Sequence, residues 1–581
     1  MRVLLVHPKD SVDAGRWAQL RWDLIVDLGW AGSSQNAAWS ARFGCPVRGL
    51  LDFANWHDDI RRLAHFCGIG NERMLDSEGI DWWAVLAPNS YRELHEFILM
   101  EKVAALVHSP AEIWVTRPHP MAEALSKLLG VKVEAFAGQS GSSAADRLRL
   151  WSKKFSHLTS AQIVQIAFDK WDGDYGVRRY FSSARRSPVS GRKVLLPSAY
   201  RNVSRVLTRY AGLLPERNFL LVTTRANGEM RDLPANVGMM PLAGYAPRPK
   251  SKSTELEIVS LTQQWFVLKK CIYEAHPYLP RTRGLFEDFD QLLRNCLRMR
   301  DAWQGVLERE EVEAVMCADE NNPYTRTPAM LARRRGVPTV YCSHGALDGT
   351  ILFRGICSQT YLAKGEMEAD YFVRDCAVPA ERIFVSAAPG TYMAARSKGD
   401  GTHIVFFSEP YELHGGRTEN LYSEVLPRLC GLAREHGKKV MVKLHPFESL
   451  TGRSALVGRI LTEEDRKLVE VSAEPFSEQL LRKIWFSLTV ESSVAVECAL
   501  AGIPSFLCGW FDLDLYSYGK QYEKFGAARI LKEPAEVSRV PELLGEGRLD
   551  ATARERLYRP ITREELEAVL EGKAVASAKD G

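Results

Sequence analysis

The 581-residue sequence has no run approaching 18 consecutive apolar residues, so nothing in it has the pattern of a membrane-spanning helix. Its eleven cysteines include no CxxC pair and follow no regular framework, which excludes a disulfide scaffold and a paired-thiolate zinc site. No set of His, Cys and carboxylate residues has metal-ligand spacing, and we expect no metal and no cofactor. A P-loop and a GxSxG elbow are both missing, which removes two common enzyme classes. Charge of one sign is also scarce: 76 Lys and Arg face 72 Asp and Glu, for a net +4. That balance is too mild to argue for nucleic acid. The basic clusters at 333–335 and 248–252 are short enough to be solvated surface.

What is present is globular. Apolar residues make up 46% and charged residues 25%, over a length that exceeds one ordinary core. Cys317, Cys342 and Cys508 lie in apolar strand-like runs, where a reduced thiol acts as a small hydrophobe. We therefore expect a cytoplasmic protein, with peripheral contact at the inner face of the membrane left open. The opening MRVLLVHPKD is too short in its apolar part for a signal segment and reads as a first strand. Further strand-like runs fall at 82–86, 113–115, 131–136, 194–196 and 219–222, with helix-period segments between several of them. Such alternation specifies an α/β fold with a parallel sheet.

The alternation lapses between 226 and 282, and two long helices are expected near 255–274 and 285–307. It resumes at Glu313 with EAVMC, the polar junction ADENN, a helix ended by Gly336, and the strand PTVYC leading into SHGALDG. Residues 388–401 have a linker's composition. The expected plan is an N-terminal domain over 1–390 with a helical elaboration at about 226–307, a C-terminal domain over 402–570, and a disordered tail at 571–581.

The most informative stretch runs from 439 to 512. KVMVKLHP is a strand delivering Lys443, His445 and Pro446 to its carboxyl end. TVESSVAVECALAGIP is a second strand followed by Ser492-Ser493 and a helix. Open α/β sheets bind ligands at the carboxyl ends of their strands. A cation, a histidine and a helix start with two hydroxyls form a receptor for phosphate or diphosphate. The serines could equally be a helix cap, but the Glu or Gln of a capping box is missing three residues on. Glu497 lies one turn beyond Ser493 on the same helical face and suits the hydroxyls of a ribose.

KLHP, then ESSVAVE, then GIPSFL and FDLDLY, resembles the C-terminal half of GT-B-fold transferases. The similar groups are bacterial polysialyltransferase-like and CDP-glycerol glycerophosphotransferase-like enzymes of capsule and wall-polymer synthesis. The resemblance covers about 405–516, a fifth of the chain. It implies two Rossmann-like domains facing across a cleft, the C-terminal one binding a nucleotide donor and the N-terminal one the acceptor. Lys443, His445, Ser492 and Ser493 would meet the donor phosphate, Glu497 the ribose, and Ser408 and Arg417 of FFSEPYELHGGR would be further phosphate contacts. SHGALDG resembles the His-Gly turn of the same enzymes. Asp319, Glu320 or His344 would then be the acceptor base, although Asn321 stands where sialyltransferase-like members carry Gly after an acidic pair. Asp512-x-Asp514 and Asp172-x-Asp174 match a metal motif of a different transferase fold, and we read neither as a ligand pair.

The implied activity is metal-independent glycosyl transfer from a nucleotide-activated donor, CMP- or CDP-linked, to a hydroxyl of a surface glycan or lipid-linked glycan. A nucleotide-sugar epimerase and a non-catalytic glycan-assembly subunit are the competing readings.

Overall fold

The structure is a computed structural model. It describes residues 1–7, 10, 15–28, 36–55, 58–59, 62, 74–87, 91–107, 112–136, 189–247, 251–279, 286, 289–345, 357–388, 401–411, 418–446, 448–511, 518–545, 554 and 556–573.

Three parallel sheets run in sequence. The first contains β1 (Arg2–Val6), β2 (Leu24–Asp27), β3 (Val47–Gly49), β4 (Glu112–Val115) and β5 (Val133–Ala135), in the order β3-β2-β1-β4-β5. The second contains β6 (Lys193–Ser198), β7 (Asn218–Thr223), β8 (Val237–Pro241), β9 (Val312–Cys317), β10 (Thr339–Cys342), β11 (Thr360–Ala363) and β12 (Ile383–Val385), in the order β12-β11-β10-β9-β6-β7-β8. The third contains β13 (His403–Phe407), β14 (Lys439–Lys443), β15 (Val469–Ser472), β16 (Ile484–Thr489), β17 (Ser505–Cys508) and β18 (Arg529–Leu531), in the order β15-β14-β13-β16-β17-β18.

Each sheet has its first strand in the middle, two later strands on one side and the rest on the other. This is the Rossmann-like, doubly wound order. The central strands are buried along most of their length, as in LLV of β1, VLLP of β6 and IVFF of β13. Helices cover both faces of such a sheet, so apolar runs replace alternation.

The expected single sheet over 1–390 is thus two. Alternation of strands and helices is a local signal and does not count sheets. The helices Lys252–Ala275 and Phe289–Arg309 are the expected helical elaboration, and they form the layer that joins the two sheets. Trp265 stacks on Phe289 at 3.9 Å and on Trp83 of the first unit at 5.6 Å. Arg300 reaches across to Asp76 at 2.8 Å in a buried ion pair. One continuous core therefore spans both N-terminal sheets.

Two local expectations change as well. Residues 82–86 form a helix, Trp82–Leu86, capped by the Asp81 side chain accepting the Trp83 and Ala84 N–H groups. Four of these five residues are buried, and so short a run with a single exposed position has no period to read. The lapse at 226–282 contains β8, the edge strand of the second sheet.

Helix Arg563–Leu570, expected to complete the C-terminal domain, crosses back. Its Leu566, Val569 and Leu570 pack with Met316 and Val340 of the second sheet. A capping box of Thr562 and Glu565 starts it, and Arg563 pairs with Glu216 at 2.6 Å. Of the expected tail, 574–581 lies outside the described residues. No described helix is long and apolar enough to cross a membrane.

Candidate active site between the second and third sheets

The second and third units share an apolar cluster in which Tyr371 meets Tyr518 edge-on at 4.9 Å. Lys524 adds an ion pair to Asp370 at 2.7 Å. Beside this contact lies a cavity of about 70 Å³. One wall consists of the residues that follow β10, β11 and β12, namely Ser343, His344, Gly345, Lys364 and Ala387-Ala388, together with Arg209. The other wall carries Ser493, Val496 and Glu497, which follow β16. Strand ends of two sheets therefore meet at one site, as the Rossmann rule requires of each singly.

His344 is fixed tightly. Its Nδ1 lies 2.6 Å from the Ala318 carbonyl oxygen, which can only accept, so the proton sits on Nδ1. Nε2 is left as the basic nitrogen of a ring on the cavity wall. The residues on either side are fixed by Glu368, which is buried. Glu368 Oε1 accepts from Ser343 Oγ at 3.1 Å and from Lys364 Nζ at 3.0 Å, while Lys364 Nζ also donates to the Gly345 carbonyl at 2.9 Å. Sequence reading missed both Lys364 and Glu368. Their four-residue spacing after a strand was the available signal.

The two carboxylates near Asn321 do not line this cavity. Asp319 Oδ1 accepts the Asn321 and Asn322 N–H groups at 3.2 and 3.3 Å, closing the turn before helix Pro323–Arg334. Glu320 is buried, bonded by the Ser358 hydroxyl and by Tyr361 Oη at 3.0 Å. Burial pushes its carboxyl above the ordinary range. Both carboxylates are held in the second unit's own networks.

In the third unit Ser493 stands at the start of helix Val494–Leu500 with no side-chain capping bond. Its hydroxyl is not used as a cap. Ser493 and Glu497 line the cavity together, as their spacing suggested. Ser492 instead bonds the carboxyl of Glu409, just beyond β13. Burial first, and the neighbouring Glu491 carboxylate second, push Glu409 well above the usual carboxylate range.

The KLHP loop forms an adjoining network around Glu448. This buried carboxylate accepts the His445 N–H at 2.7 Å, Ser408 Oγ at 2.7 Å and Arg453 Nε at 2.6 Å. Ser408 thereby ties the end of β13 to the loop after β14, and also meets Tyr422 Oη at 2.6 Å. Lys443 is nearly sealed from solvent, with Nζ donating to the Leu444 carbonyl at 2.8 Å, and burial lowers its pKa. Arg417, Asp172, Asp174, Asp512 and Asp514 lie outside the described residues.

No family model matches the chain. No curated protein matches it either. Among solved structures it is similar to S. aureus MnaA in a co-structure with UDP, at 11% identity and TM-score 0.38, over 65% of this chain and 94% of that one. It is similar to Acinetobacter baumannii MurG at 11% identity and TM-score 0.37, over 66% and 99%. CalG4, the calicheamicin glycosyltransferase, matches at 13% identity and TM-score 0.38, over 67% and 96%.

Proposed function

We propose that the chain is a glycosyltransferase that moves a sugar from a nucleotide-activated donor, CMP- or CDP-linked, to a hydroxyl of a surface glycan or lipid-linked glycan. The observation that carries the reading is His344: a ring with its tautomer fixed, on a cavity wall opposite Ser493 and Glu497. In the reaction His344 Nε2 takes the acceptor hydroxyl proton as that oxygen attacks the anomeric carbon. The bond from the anomeric carbon to the phosphate oxygen breaks, and the nucleotide leaves with its charge. Ser493 and the helix start behind it, with the His445 loop beside them, meet that charge, and Glu497 holds the ribose. Asp319 and Glu320 keep the strand end after β9 in place. The cavity is smaller than the roughly 300–1,000 Å³ of a ligand pocket, so this reading requires the two walls to part to admit the donor.

The test is a thermal-shift panel of CMP, CDP, UDP and GDP on the full chain. A ligand that binds only the folded state raises the melting temperature. A cytidine nucleotide should give the largest shift, and the double change Ser492→Ala with Ser493→Ala should abolish it. No shift with any of the four would end the proposal. Turnover of a nucleotide sugar in the absence of acceptor would make the enzyme an epimerase instead.

A further inference from the structure

The first sheet has its own switch point, between β1 and β4, and it carries chemistry that the interdomain cleft does not use. Both flanking strands deliver a histidine there: His7 directly after β1, and His119 in the sequence Arg117-Pro118-His119-Pro120 after β4. The second run repeats the pattern of Lys443-Leu444-His445-Pro446, a cation, one residue, then His-Pro beyond a parallel strand. The two imidazoles are half-buried and meet edge-on, 5.4 Å between ring centroids.

His119 caps helix Pro120–Leu129, its Nδ1 accepting the Met121 N–H at 3.2 Å. That bond puts the proton on Nε2 and turns this nitrogen into a donor. Ser, Thr, Asp or Asn would cap the helix as well or better, so capping alone does not account for an imidazole. Arg117 lies beside it, paired with Asp10 at 2.6 Å yet with its side chain 39% exposed. Thr116 Oγ1 accepts the His7 N–H at 2.8 Å and locks the two strand ends together. Burial, and the nearby His7, lower the His119 pKa to about 4, which keeps that ring a neutral donor. The carboxylate of Asp27 at the end of β2 is sealed from solvent. No group of three metal-ligating side chains occurs among the described residues, so the cluster does not match a cation site.

We propose that His7, Arg117 and His119 form a second ligand site, on the first Rossmann-like unit, that takes a phosphomonoester. The site is independent of the cleft. It gives the N-terminal unit a role of its own, in holding a phosphorylated small molecule apart from the donor.

Titration of the full chain with inorganic phosphate, followed by calorimetry and by NMR of ¹³Cε1-labelled histidines, tests this. Two histidine signals, assigned through His7→Gln and His119→Asn, should move with phosphate in the wild type and in the Ser492→Ala, Ser493→Ala variant alike. His119→Asn keeps a good cap while removing the Nε2 donor, and should weaken phosphate binding at that site by about tenfold or more. Arg117→Gln should do the same without touching the cap. Unmoved histidine signals in the wild type at saturating phosphate would overturn the proposal, as would an isotherm that both variants leave unchanged.

Discussion

A histidine whose Nδ1 faces a carbonyl has one nitrogen left for chemistry, and in His344 that nitrogen belongs to a ring on the cavity wall. Changing His344→Ala should lower kcat by about 10²–10⁴, the range for loss of a general base, and leave nucleotide affinity unchanged. If nucleotide affinity falls as far as kcat does, the ring is a binding group and the base lies elsewhere. Glu409 allows a test in the absence of substrate. Its carboxyl is raised in the folded state by burial and by Glu491. The folded form therefore gains from the proton, a contribution that is full below the unfolded carboxylate pKa and lost as pH rises through the folded value. Glu409→Gln keeps a partner for Ser492 and removes the ionisation. Its melting temperature relative to wild type should climb as the pH rises above the ordinary carboxylate range. A constant difference across that range would show that Glu409 titrates normally.

At the scale of elements, the loops at the strand ends of β13 and β14 are held by one residue. Glu448 joins the end of β13 through Ser408, the loop after β14 through the His445 N–H, and helix Leu450–Ile460 through Arg453. The Arg453–Glu448 pair is buried, so Glu448→Ala removes one partner of a buried ion pair and should cost about 3–5 kcal/mol in chemical denaturation. A loss below about 1 kcal/mol would mean that water or another group replaces the carboxylate. Glu448 also marks where the sequence stops being informative. Lys443, His445, Ser492, Ser493 and Glu497 stand at fixed short spacings around strand ends, and such spacings can be read directly. The partners of Glu448 include Ser408, forty positions away, and nothing local announces that bond. Asp319 and Glu320 differ from these: the strand end can be read, but the direction of Glu320 depends on Ser358 and Tyr361, contributed by a later strand and its approach, while Asp319 turns back to the Asn321 and Asn322 N–H groups. The run 82–86 reads as a strand because burial of four of its five residues hides a helical period, while the capping carboxylate of Asp81 was there to be noticed.

At the scale of the molecule, three doubly wound units follow one another, yet the chain does not finish in the third. After β18 it returns along the second unit: Ala387 bridges Pro560, Leu557 and Tyr558 join the cluster shared by the two units, and helix Arg563–Leu570 packs against the second sheet. The return passes directly over Gly365, at the strand-to-helix junction after β11. A Cβ on Gly365 would collide with the backbone carbonyl of Leu557 and with that of Arg556, neither of which can swing aside as a side chain would. The backbone of Gly365 is extended, so space alone requires the glycine there. Lys364, next to it, fixes the Gly345 carbonyl beside His344, and this ties the crossing segment to the cleft. Gly365→Ala should therefore lift residues 556–570 off the second unit. Hydrogen exchange should show protection lost first in that segment and in β11, with β13, β14 and β16 unaffected because their core is their own. Leu566→Ala, made in the middle of the crossing helix, should cost about 2–5 kcal/mol as a buried large-to-small change and weaken the same segment without altering the Gly365 junction. Exchange that speeds up in the third sheet, with residues 556–570 still protected, would show that the final helix belongs energetically to the third unit.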